Sequence, residues 1–240
     1  MKNFFKARIA PLFGIVAFAA IMVFLFAACQ NDPDPGNTPG TNPGGLEFSL
    51  NNDTDAYSVT GYTGTSSDVV IPATYNGKPV RSIGDYAFEN RTSLTSITLP
   101  TSVTGIGVSA FEDCTSLASI TIPGVRYITG SAFRNCTSLT GITLPASLIY
   151  IAARAFENCT SLTGSISIPV GVTDIGNSAF SGCTNLTSIS IPASVTTVGY
   201  AFSGWTSSQT IYVPWTSSGY APDGWYRWKD YSNAQIVYQQ

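Results

Sequence analysis

From about residue 80 the apolar positions of this chain recur on a fixed grid. Between 103 and 122 they include Val103, Ile106, Ala110, Phe111, Leu117, Ile120 and Ile122. An Ala-Phe pair returns with its phenylalanine at Phe88, Phe111, Phe133, Phe156, Phe180 and Phe202. An apolar-Pro pair closes each unit at Pro100, Pro123, Pro145, Pro169, Pro192 and Pro214, so both series step by 22 to 24 residues. Ile120 and Ile122 alternate with Ser119 and Thr121, the period of a half-buried strand. Pro123 ends that strand because it has no N–H for a ladder. The stretch 102–111 is too short for a long helix, and Gly107 permits a tight bend within it. Each unit is thus expected to give a short strand, a proline stop and short helical turns.

One unit holds about seven apolar groups, too few to offset the entropy of ordering some 23 residues. Stacked units share cores and strand hydrogen bonds, so the sequence predicts a solenoid. The unit "LTGSISIP" (162–169) carries one extra residue, expected as a bulge before the strand. The third and sixth units are each one residue short before their phenylalanine. Upstream, residues 46–80 read as short strands with a turn at Asn76-Gly77 that cap the first unit.

Cys114, Cys136, Cys159 and Cys183 share one register, three residues after a phenylalanine. Stacked at about 4.8 Å per turn, their sulfurs form a column that cannot converge on one tetrahedral metal. The chain has no histidine to complete a mixed site, so no metal and no cofactor is expected. Neighbouring cysteines fall within disulfide range. Arg91 and Trp205 fill the same slot in the first and last units, however, which favours buried thiols acting as small hydrophobes.

The outward strand positions form a hydroxyl ladder of Ser96 and Thr98, Ser119 and Thr121, Gly141 and Thr143, Ser165 and Ser167, and Ser188 and Ser190, with Tyr212 in the last strand. Three readings stand side by side: a plain solvated face, a surface for a protein or glycan, and a water-ordering face. The second puts Ser96, Thr98, Ser119, Thr121, Thr143, Ser167, Ser190 and Tyr212 in a binding surface. All four tryptophans (Trp205, Trp215, Trp225 and Trp228) lie near the end of the chain. There they form either a cap over the open core or an aromatic binding platform.

The first residues add a location. Lys2, Lys6 and Arg8 precede an uncharged apolar run from Ile9 to Cys29, the pattern of a secretory signal. "LFAAC" (25–29) resembles a bacterial lipoprotein processing site, which implies acylation of Cys29 and a membrane contact through lipid. Residues 30–45 are rich in Pro, Gly and Asn and read as a tether. Without the signal, eight basic residues face fourteen acids, a net charge of about −6. With no basic cluster, nucleic acid is not expected as a partner. With no histidine and no convergent carboxylate pair, neither is enzyme activity.

The unit "IGDYAFENRTSLTSITLP" (83–100) and its copies, with the L-x-x-L-x-L spacing of Leu117, Ile120 and Ile122, resemble the BspA-like leucine-rich repeat family of bacterial surface lipoproteins. That resemblance implies a cell-surface protein that adheres to a host matrix protein, a cell or a glycan. The rival is a structural spacer with no ligand. The expected fold is mostly β with short helical turns, a leucine-rich repeat solenoid of about six units with caps at both ends. Its expected parts are a lipoprotein signal (1–28), the lipidated Cys29 and tether (29–45), an N-terminal β cap (46–79), the solenoid (80–214) and an aromatic-rich C-terminal cap (215–240). Export, with display on the outer membrane or cell surface, completes the expectation.

Overall fold

A computed structural model of the chain describes residues 44–214 and 232–238. The expected signal, Cys29, the tether up to residue 43, and Trp215, Trp225 and Trp228 lie outside the described residues.

The described residues form a β-solenoid of about seven turns, built on two parallel ladders. The first ladder carries the Ser/Thr strands. It begins with β3 (Asp68–Val70), β6 (Ser96–Thr98) and β8 (Ser119–Thr121). It resumes with β11 (Gly164–Ser167), β13 (Leu186–Ser190), β15 (Thr210–Val213) and β16 (Gln235–Tyr238). The second ladder runs through β2 (Ala56–Tyr62), β5 (Lys78–Ile83), β7 (Gly105–Ile106), β9 (Tyr127–Ile128), β10 (Tyr150–Ile151), β12 (Asp174–Ile175) and β14 (Thr197–Val198). At its start β1 (Leu46–Asn51) pairs antiparallel with β2, and β4 (Thr74–Tyr75) pairs antiparallel with β5. Asn76 and Gly77, with φ of 47° and 78°, make the tight turn between β4 and β5. β2 and β3 already stack in parallel on β5 and β6, so parallel stacking begins within residues 46–79.

Between the ladders the chain makes successive reverse turns, and no helix occurs among the described residues. In one turn Ala110 N–H donates to Gly107 O, Glu112 to Ser109, Cys114 to Phe111 and Leu117 to Cys114. These three-residue steps are the form taken by the expected helical turns. Ser109 and Asp113 have φ of 52° and 60°, which breaks helical continuity. The second of these left-handed positions recurs as Asn90, Asp113, Asn135, Asn158, Gly182 and Gly204. Asn, Asp and Gly tolerate that conformation best, which explains the composition of this column. Gly107 acts otherwise than by a special φ. A Cβ there would stand 2.5 Å from the Gly84 carbonyl carbon, so its hydrogen lets adjacent turns close up.

The core is a set of stacked columns. Phe88, Phe111, Phe133, Phe156 and Phe180 lie with ring centroids 5.2 to 5.3 Å apart and nearly parallel, and Phe202 follows at 6.1 Å. Tyr62 closes the column at one end (5.5 Å from Phe88), and Trp205 packs edge-on against Phe202 at 5.1 Å. Beside them the four cysteines are free and buried. Each thiol donates to the carbonyl of the phenylalanine one turn earlier: Cys114 to Phe88 (3.0 Å), Cys136 to Phe111, Cys159 to Phe133 and Cys183 to Phe156 (3.1 Å each). In the final slot Trp205 Nε1 donates to Phe180 O in the same way (2.9 Å). The cysteine slot is therefore both packing and a donor to a buried carbonyl that the turn bond leaves with a spare lone pair. Burial pushes the Cys114 and Cys183 thiols up to about 12 and raises those of Cys136 and Cys159 well above the ordinary range. All four therefore stay protonated and able to donate.

Candidate binding surface

Alternation along β6, β8, β11 and β13 sends one set of residues into the core and the other outward. Ile97, Ile120, Ile166 and Ile189 are buried, while Ser96 and Thr98, Ser119 and Thr121, Ser165 and Ser167, and Ser188 and Ser190 flank them. Register places Ser96 beside Ser119 and Thr98 beside Thr121. It likewise places Ser167 beside Ser190, and Ser190 beside Tyr212. The outward residues thus form two columns along the solenoid axis.

Most of these hydroxyls are unspent. Ser96 Oγ is engaged, donating to Asp68 Oδ1 at 2.5 Å, and this bond holds the exposed Asp68 carboxyl below its usual range. Among the described residues the side chains of Thr98, Ser119, Thr121, Thr143, Ser167, Ser190 and Tyr212 make no hydrogen bond within the protein. Thr98, Ser119, Thr121, Thr143 and Ser167 are exposed; Ser190 and Tyr212 are half-buried. Such a surface offers donors and acceptors with a low charge density.

The two columns are not continuous. A single bridge, Ser119 to Gly141, joins the third turn to the ladder. Residues 142–145, including Thr143, lie outside any strand. Elsewhere the upper end of each strand is closed by a bond such as Leu99 N–H to Thr121 O, Ile168 to Ser190 or Ile191 to Tyr212. Among the described residues Ile122 and Leu144 make no such bond, and Ile142 and Leu144 are only partly buried. The extra residue of the next unit is the bulge expected from sequence: register shifts between Gly164 and Ser165, and Gly164 has φ of 72°. The surface is therefore two hydroxyl patches, around β6–β8 and β11–β15, with a notch between them where residues 142–145 leave the ladder.

Trp205 departs from the aromatic platform reading. It is 1% exposed, hydrogen-bonded and packed on Phe202, so it is core and presents nothing to a partner. On the reverse-turn side the carboxylates of Glu112, Asp113 and Glu157 are likewise engaged. Arg134 binds Glu112 (2.5 Å) and Glu157 (3.0 Å), and Asn135 Nδ2 donates to Asp113 (2.8 Å). A second group of outward residues, Tyr127 and Tyr150 on β9 and β10, went unnoticed in the sequence. Its signal was the residue before each buried Ile of the second ladder.

The fold is that of a leucine-rich repeat solenoid. The family model of the BspA type leucine rich repeat region matches residues 67–164 in six copies, so that stretch of the chain is a BspA-type leucine-rich repeat region. Similar solved structures include a leucine-rich repeat protein of T. pallidum, at 28% identity and TM-score 0.61 over 83% of this chain and 99% of that one. Another, from Bacteroides ovatus, shows 34% identity and TM-score 0.63 over 70% of this chain and 46% of its own. A leucine rich cell surface protein of Faecalibacterium prausnitzii shows 32% identity and TM-score 0.54 over 78% and 58%. This chain thus spans about half the length of the latter two. No curated protein sequence matches it.

Proposed function

We propose that this protein is exported, held at the bacterial envelope by lipid on Cys29, and binds a surface protein or glycan of a host or neighbouring cell through its Ser/Thr strand face. The observation that carries this reading is the set of aligned, exposed and internally unbonded hydroxyls at Thr98, Ser119, Thr121 and Ser167 on a rigid ladder. Similarity to a leucine rich cell surface protein supports the location. The role is binding without catalysis: the half-buried carboxylates Glu112 and Glu157 are tied to Arg134 rather than aimed at a common point.

Solid-phase binding of the purified protein to matrix proteins, mucins and glycans tests this. Saturable binding is expected, weakened about tenfold or more when Thr98 and Thr121 are both replaced by lysine, because the longer charged side chains cover the patch. High salt should change it little, since few charges take part. Flat curves from folded protein would overturn the reading and leave the spacer role.

A further inference from the structure

The second ladder holds side chains whose stacking and hydrogen-bonding capacity is only partly spent. The positions one residue before each buried Ile or Val are Ser82, Gly105, Tyr127, Tyr150, Asp174 and Thr197 in register, all but Gly105 reaching solvent. Tyr127 and Tyr150 are direct partners, so their Cα atoms lie about 4.8 Å apart. Beneath them Ile128 and Ile151 are fully buried and fix the backbone. Both tyrosines are half-buried, which holds the rings while leaving part of each in solvent.

The polar groups around them keep capacity for a ligand. Among the described residues neither phenol hydroxyl has a hydrogen-bond partner. Burial, helped by Asp174, pushes the Tyr150 phenol up, so it remains a donor. Asp174 takes the Thr173 hydroxyl on Oδ2 (2.6 Å) and leaves Oδ1 open. The Arg126 guanidinium carbon lies 5.8 Å from the Tyr127 ring centroid. Among the described residues it has no carboxylate partner, as is also true of Arg81 and Arg91, whereas Lys78, Arg134 and Arg154 each have one.

A pyranose ring offers an apolar C–H face and a rim of hydroxyls. Tyrosines provide stacking area with little entropy to lose, and an open carboxylate accepts hydroxyls. An unpaired guanidinium beside the rings adds a fork that fits a carboxylate, so charge complementarity selects an acidic sugar. We propose that Arg126, Tyr127, Tyr150 and Asp174 form a binding site for an acidic saccharide, with a hexuronic-acid unit across the two tyrosines, its carboxylate on Arg126 and its hydroxyls on Asp174. The site lies on a different ladder from the Ser/Thr face and does not depend on that face binding anything.

The test is saturation-transfer NMR and titration calorimetry of the full chain with trigalacturonate, and with neutral maltotriose beside it. Saturable binding of trigalacturonate is expected, with maltotriose about fivefold weaker or worse. Arg126→Gln should lose about the same factor for trigalacturonate and leave maltotriose unchanged. Tyr127→Ala with Tyr150→Ala should remove both. Because the tyrosines are half-buried, the exposed Arg126→Gln variant, with an unchanged melting temperature, gives the decisive comparison. Thr98→Lys with Thr121→Lys should leave trigalacturonate binding intact, which separates this site from the strand face. No saturable binding, equal affinity for both sugars, or an Arg126→Gln variant that binds like the parent would each overturn the proposal.

Discussion

Each cysteine of the column makes its stability contribution as a protonated donor, and that has a measurable consequence. In the unfolded chain these thiols ionise near 9.0, while in the fold burial pushes Cys114 and Cys183 up to about 12. Between those values the folded state holds more protons than the unfolded one, so stability falls as pH rises. Below about 9 the contribution is complete. The urea midpoint is therefore expected to stay level from neutral pH to about 8.5 and to decline above it. Replacing Cys114 and Cys183 with alanine should lower the midpoint at pH 7, by lost packing and lost bonds to Phe88 and Phe156. It should also flatten the alkaline decline relative to the parent. An identical alkaline slope in parent and variant would show that the buried thiols are not its cause. The register of the cysteines was readable in the sequence, as was their role in packing. Their donation to the preceding turn was not, because the carbonyl concerned belongs to a residue some 25 positions away.

At the scale of elements, the strand ladder and its bulge were legible for a physical reason. A parallel solenoid repeats one pattern, so a single extra residue, as in "LTGSISIP", has to appear as a local irregularity. Its effect on the preceding turn was not legible. Gly141–Pro145 has the same length and nearly the same residues as its neighbours, yet it leaves the ladder directly before the unit that carries the extra Gly164. Tyr127 and Tyr150 escaped for a similar reason: each reads as an ordinary residue until the step of 23 between them becomes a strand pairing. The notch yields a prediction. Amides of Ile142 and Leu144 are expected to exchange with solvent at least about tenfold faster than those of Ile97, Ile120 and Ile189, which sit in closed ladders. Deleting Gly164 restores the sequence "SLTSISIP" to that unit and should slow exchange at 142–144. Hydrogen-exchange mass spectrometry reads both effects, and unchanged exchange after the deletion would mean that the length mismatch does not open the notch.

At the scale of the whole molecule, the architecture is one-dimensional: each turn touches only its neighbours, and stability depends on how the two ends of the column are closed. Tyr62 and the β1–β2 pair close the first end. At the other end β16 pairs with β15 over four residues, Thr210–Val213 against Gln235–Tyr238, and the partly buried Ile236 and Ala234 pack on the core beside buried Ile211 and Val213. Asn233 N–H also donates to Trp205 O, which ties the returning chain to the last core aromatic (3.0 Å). A chain ending at Pro214 loses all of these and leaves β15 as an open edge strand over the core residues Ile211 and Val213. Such an edge is a template for pairing with another copy. Truncation is therefore expected to lower the melting temperature and to produce concentration-dependent association, read by scanning calorimetry and by light scattering. If the truncated chain stays monomeric with its melting temperature unchanged, β16 does not cap the core. The last turn would then have to be closed by its own residues, with Trp205 and Gln209, whose amide bonds the carbonyls of Cys183 and Leu186, as the sufficient terminus.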